Sequence, residues 1–179
     1  MRYNPTIHHR KSIRLQKYDY SQSGLYFITI CVKNKECLFG TISDGIMKLN
    51  DAGNIANNCW VQIPEHFPNA KLHAHVIMPN HVHGIIELVD VQNVGVQNFE
   101  PLRKWQNKFQ KIIPRSIGSI IRGYKIGVTK WFRANTEIHI VWQRNFYEHI
   151  IRNEQSYNNI SHYIINNPQQ WNDDRFFSS

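Results

Sequence analysis

The run Met78-Pro79-Asn80-His81-Val82-His83 restricts the fold of this chain more than any other segment. A Pro-Asn step between two apolar, β-rich runs is a turn signal, so Lys71 to Met78 and His81 to Leu88 are read as the arms of a hairpin. Pairing Met78 with His81 sets its register. Alternate strand residues share a face, so His81 and His83 point the same way and are placed to hold one metal ion together. On that register His73 and His75 fall on the other face and belong to no common site. The spacing alone is weak evidence, because a chain with ten histidines contains such pairs by chance. Further ligands are needed.

The rest of the chain supplies a frame for that hairpin. Leu25 to Val32 mixes β-branched and aromatic residues in one run, as a central strand does. Leu38 to Ile42 and Ile46 to Leu49 flank Ser43-Asp44-Gly45 and predict a second hairpin. Asn50 or Asp51 caps a helix whose Ile55, Cys59, Trp60 and Ile63 recur at helical spacing until Pro64 stops it. A long amphipathic helix begins near Ser116. Its stripe of Ile117, Ile120, Ile121, Tyr124, Val128, Trp131 and Phe132 faces a core, while Arg122, Lys130 and Arg133 project from the other side. A short strand over Glu137 to Trp142 and a last helix from about Glu154 to Asn166 follow. This order predicts one α+β domain over 1–179, a ferredoxin-like antiparallel sheet with helices packed mainly on one face. Residues 1–24 form a basic arm, and 89–112, with their Gln- and Asn-rich near-duplication, form a flexible insertion.

Charge narrows the partner. There are 21 Lys and Arg against 13 Asp and Glu, a net charge of +8, which favours a polyanion over a small acidic molecule. The three cysteines, Cys31, Cys37 and Cys59, show no Cys-x-x-Cys spacing and suit reduced thiols in a cytoplasmic, soluble protein. No apolar run approaches the length that crosses a membrane.

Taken in order, Tyr18-Asp19-Tyr20-Ser21, Tyr26-Phe27-Ile28-Thr29, Leu38-Phe39-Gly40, Val76 through His83, Gly123-Tyr124-Lys125, Trp142-Gln143-Arg144 and Tyr163 through Pro168 resemble the REP-associated tyrosine transposases, within the single-tyrosine HUH transposases of insertion sequences. The resemblance spans most of the chain, and its short motifs gain weight from their shared order. It implies an enzyme of the bacterial nucleoid that nicks and rejoins single-stranded DNA hairpins. In such an enzyme His81 and His83 bind a divalent ion, Mg²⁺ or Mn²⁺, Tyr163 attacks the DNA, and Asn167 completes the metal site. Tyr163 and Asn167 stand one helical turn apart, so one helix can deliver both. Asn167 precedes Pro168, which disfavours helical geometry and places it in a frayed last turn.

The resemblance further implies a 5′-phosphotyrosine intermediate that stores the phosphodiester energy, so strand transfer needs no ATP. Arg10, Lys11, Arg14, Lys17, Arg122, Lys125 and Arg144 are candidate DNA contacts, with Tyr18, Tyr20 and Trp105 as stacking groups. Either a monomer or a homodimer is compatible. Three rival classes share parts of this pattern. A non-catalytic nucleic-acid-binding module would use the same sheet and charge. A zinc hydrolase would recruit a carboxylate such as Glu87. A replication initiator or relaxase would share the tyrosine chemistry.

Overall fold

A computed structural model describes residues 21–90 and 113–177, so most of the basic arm and most of the Gln- and Asn-rich segment lie outside the described residues. Strand β1 (Gly24–Cys31) is followed by β2 (Gly40–Ser43), β3 (Ile46–Leu49), helix α1 (Asp51–Val61) and the short α2 (Ile63–His66). Strands β4 (Ala70–Ile77) and β5 (His81–Leu88) precede α3 (Ile117–Asn135), then β6 (Tyr147–Ile151) and α4 (Glu154–Asn166). The main sheet has the order β4-β5-β1-β6 with every neighbouring pair antiparallel, which is the ferredoxin-like arrangement; β2 and β3 form a separate hairpin.

Local chemistry accounts for the elements. Asn50 accepts the Gly53 amide at 2.9 Å and Ser116 accepts that of Ser119, so α1 and α3 start on side-chain caps. Pro64 ends the α1 periodicity but opens α2, its missing N–H falling where a helix needs none. In the β2–β3 turn Asp44 and Gly45 both take positive φ, at 55° and 71°, the pairing that a tight two-residue hairpin turn requires.

Strand β1 is buried on both faces. Tyr26, Ile28 and Ile30 join α1 and α3 in the large core, while Leu25 and Phe27 pack with Ile85, Ile164 and Tyr157 under α4. Two of the three long helices therefore cover one face and α4 covers the other. Full burial of each such aliphatic side chain stabilises by roughly 1.5–3 kcal/mol, which makes the apolar run of β1, interrupted by Thr29, an energetic requirement.

Two expectations change. Glu137 to Trp142 is not a strand; only Trp142 bridges to Val32, and the fourth strand is Tyr147–Ile151. The more β-prone segment is diverted because Gln143 N–H bonds Cys31 O, and Lys125 beneath it donates to Gln143 O. Second, the β4–β5 register matches the expectation from Ile77↔Val82 to His75↔Gly84 but shifts by one residue between Leu72 and His75. That bulge turns His73 onto the α4 face, where it meets Glu87 and Tyr157, while His75 stacks on Trp60 on the other face.

Trp60 is fully buried, and a Cβ at Gly84 would lie 2.2 Å from its ring. Gly84→Ala is expected to lower unfolding stability by about 1–3 kcal/mol through overpacking, measured by urea titration.

Candidate metal and tyrosine site

His81 and His83 leave β5 on the α4 face, both buried, with ring centroids 4.5 Å apart. Each ring is fixed by its far nitrogen. Nδ1 of His81 lies 2.9 Å from Asn80 Oδ1, and Nδ1 of His83 lies 2.8 Å from Thr29 Oγ1 on the neighbouring strand. With the protons held at Nδ1, both Nε2 lone pairs face the interior of the site, the arrangement that metal-binding imidazoles adopt. Asn80 is held in turn, since its amide donates to the carbonyls of Lys35 and Phe176.

Helix α4 brings the phenol. It starts on Asn153, which accepts the Ser156 amide, and packs Ile164 into the small core, so Tyr163 emerges at the helix margin, 36% exposed. The Tyr163 hydroxyl donates to His83 Nε2 at 3.2 Å. Asn167 keeps helical geometry (φ −55°, ψ −39°) and is buried, because a 3-10 turn over Asn167–Asp173 continues the chain past Pro168. The expected frayed end is thus an ordered one.

Asp174 was not foreseen. Its Oδ2 accepts the Asn167 amide at 2.9 Å and lies 3.5 Å from the Tyr163 hydroxyl, while its Oδ1 accepts the Phe176 N–H. Ligand atoms of His81, His83 and Asp174 all lie within 4.8 Å of one another. The sequence carried one faint signal, an acidic pair, Asp173-Asp174, in a basic chain a few residues beyond Asn167. The Phe176 ring closes the base of the site, 4.7 Å from His81 and 5.9 Å from His83.

The donor set suits a divalent cation. His81 Nε2 and Asn167 Oδ1 are buried with no hydrogen-bond partner, an arrangement that costs about 1–3 kcal/mol per atom unless something fills it. Two imidazoles, a carboxylate and an amide oxygen match the mixed nitrogen and oxygen donors that first-row divalent ions take, and the two oxygen donors also suit Mg²⁺. Glu87 is not part of this group. It pairs with His73 at 3.0 Å, four residues farther along β5 from His83.

Burial governs the titration of these groups. It pushes the His81 imidazolium down to about 4, against support from Asp174 and Asn167, and pulls His83 well below its usual value with help from His81 and Arg175. Burial also raises the Tyr163 phenol, which Asp174 reinforces and Arg175 opposes.

The other expected contacts scatter. Arg122 lies exposed on α3 and Arg144 in the loop before β6. Lys125 is half-buried, its pKa lowered to about 8 by desolvation, and donates to the carbonyls of Gln143 and Asn145. Arg10, Lys11, Arg14, Lys17, Tyr18, Tyr20 and Trp105 lie outside the described residues.

The fold and the His, His, Tyr grouping define an antiparallel α+β protein with a candidate metal and tyrosine centre. No family model matches the chain. It belongs to one family with a Haemophilus influenzae protein described as "Uncharacterized protein", 52% identical over 98% of this chain and 97% of that one. A second H. influenzae protein, described as "Putative REP-associated tyrosine transposase", is 25% identical over 84% of this chain and 73% of its own length. The fold is also that of a REP-associated tyrosine transposase solved bound to a REP hairpin, with a TM-score of 0.60 at 20% identity, covering 88% of this chain and 73% of that one. Among the described residues no helix is long and apolar enough to cross a membrane.

An imidazole kept neutral in the fold takes a proton near pH 6.5 once unfolded, so acid favours the unfolded chain. In metal-free protein the melting temperature is expected to fall as pH drops from about 6.5 toward 4, and His81→Gln to flatten part of that slope.

Proposed function

We propose that this chain is a metal-dependent single-stranded DNA endonuclease and strand transferase that acts on REP-like DNA hairpins through a 5′-phosphotyrosine intermediate, as in DNA transposition. The observation that carries this reading is the Tyr163 hydroxyl 3.2 Å from His83 Nε2, beside His81, Asn167 and Asp174. Similarity to the two transposases described above supports the hairpin substrate.

In this reading His81, His83, Asn167 and Asp174 hold Mg²⁺ or Mn²⁺, which when bound draws charge from a non-bridging phosphate oxygen and favours the phenolate. The His83 lone pair that accepts the Tyr163 proton is the one that would hold a cation, so the phenol would lose that acceptor when the site is filled. Asp174 Oδ2, 3.5 Å from the phenol oxygen, is the acceptor left for its proton. Tyr163 then forms the new O–P bond as the P–O3′ bond breaks, releasing a 3′-hydroxyl. Attack by another 3′-hydroxyl reverses the step and returns the phenol. Rigid placement of Tyr163 by the Ile164 anchor limits the motion needed before attack. One chain carries the complete set, which supports action as a monomer; the setting is the bacterial cytoplasm.

The test is a denaturing gel of single-stranded hairpins incubated with protein and Mg²⁺ or Mn²⁺. A slow covalent band is expected, lost in Tyr163→Phe and with excess chelator, while hairpin affinity in Tyr163→Phe stays within about twofold of the parent. Undiminished adduct in that variant removes the mechanism. Binding with no adduct from the parent protein under any divalent ion favours the non-catalytic module instead. Asp174→Ala is expected to raise the Mn²⁺ concentration for half-maximal adduct by at least about tenfold.

A further inference from the structure

A cleft of about 700 Å³ runs along the outer side of α3, on the sheet face opposite the imidazoles. Its lining includes Arg122, Lys125, Lys130 and Arg133 and no carboxylate. Helix α3 itself carries no acid. Lys125 is committed to the 143–145 loop, so Arg122, Lys130 and Arg133 are the cations left for a ligand. Among the described residues no salt bridge engages these three. Arg122 and Arg133 are eleven positions apart and close to the same angular position on α3, which separates their backbones by roughly 16 Å along the axis. A row of that length addresses several phosphates, not one. Ile126, 56% exposed, lies between the cations and offers an apolar patch, and Phe146 closes the far wall.

One edge of the sheet lies between the cleft and the tyrosine site. Phe146 lines it, and the next residue, Tyr147, opens β6, an edge strand. Tyr147 pairs with Thr29, which pairs with His83 on its other side, so Tyr147 stands in the same cross-strand row as the imidazole. Two strand spacings put its backbone roughly 10 Å from that of His83, on the same face. Its ring is 45% exposed, with the Arg175 guanidinium 5.8 Å from the centroid. Arg175 follows Asp174 in the chain. An exposed aromatic flanked by a guanidinium is a stacking platform for an unpaired base, and a base locked in a duplex cannot use it.

We infer that the α3 cleft binds the single-stranded flank of the DNA substrate, which leaves the Tyr163 site, stacks a base on Tyr147 and Arg175, and lays its phosphates along Arg122, Lys130 and Arg133. The inference rests on the nucleic-acid reading proposed above and adds where the strand runs. It also gives the basic side of α3 a task that the tyrosine chemistry does not.

The test measures binding alone, in chelator, by fluorescence anisotropy over a salt series, using a hairpin with and without single-stranded flanks. The parent protein is expected to bind the flanked hairpin more tightly. The triple variant Arg122→Ala, Lys130→Ala, Arg133→Ala loses that advantage, and its log–log salt slope falls by about two, near 0.7 for each lost single-strand phosphate contact. Tyr147→Ala weakens the flanked hairpin about tenfold and leaves the bare one unchanged. Replacing the same three positions so that charge is kept, with Arg122→Lys, Lys130→Arg and Arg133→Lys, preserves the slope and separates charge from folding. An unaltered slope and flank preference in the triple variant would overturn the inference. So would equal losses on both hairpins, which would place the stem in the cleft. Neither result touches the covalent band, so a failure of this inference and a failure of the tyrosine mechanism are distinguishable.

Discussion

The pairing of β1 with β5 is the constraint on which the remaining structure depends. Thr29↔His83 in that register puts a hydroxyl 2.8 Å from the imidazole, sends Tyr26, Ile28 and Ile30 to one core and Phe27 to the other, and leaves Gly84 against Trp60. A slip of one residue would flip β5 relative to β1, burying the imidazoles under α1 and α3 and turning Ile86 of the same strand toward α4. Fold and site are therefore specified by the same pairing, and neither can drift without the other.

The site is expensive as it stands. Two buried imidazoles and a buried amide stand beside a half-buried carboxylate, and two polar atoms lack partners. Apolar residues of the same volume would stabilise the fold more. Retaining such a group makes physical sense where a cation replaces the missing partners, and the pinned Nδ1 atoms of both rings keep the coordinating atoms aimed inward while the site waits.

Much of this was legible in the sequence, for identifiable reasons. The hairpin register followed from Pro79-Asn80 because a tight turn leaves few pairings, and α3 and α4 followed from apolar residues at helical spacing. Joining Tyr163 to His83 needed the family resemblance, since an aromatic beside Ile160 and Ile164 reads, from sequence alone, first as core. The errors arose where tertiary contacts override local preference. The bulge at Leu72 to His75 has no sequence mark, and it reverses the face of His73. Glu137 to Trp142 has the better strand composition, yet the edge position goes to Tyr147–Ile151, which continues directly into α4.

Asp174 shows why the third member of such a group is harder to read than the first. His81 and His83 are spaced by strand geometry, and Tyr163 and Asn167 by helix geometry, so both pairs leave a period in the sequence. The carboxylate arrives from a segment without a period, placed by a 3-10 turn, by the Phe176 N–H that its Oδ1 accepts, and by the Asn80 amide that grips Phe176 O. Asn80 holds the His81 ring with its oxygen and the Asp174 segment with its nitrogen. The turn residue that sets the hairpin thus also ties the strand-borne and terminal parts of the site into one unit, and the orientation of His81 and the position of Asp174 cannot vary independently.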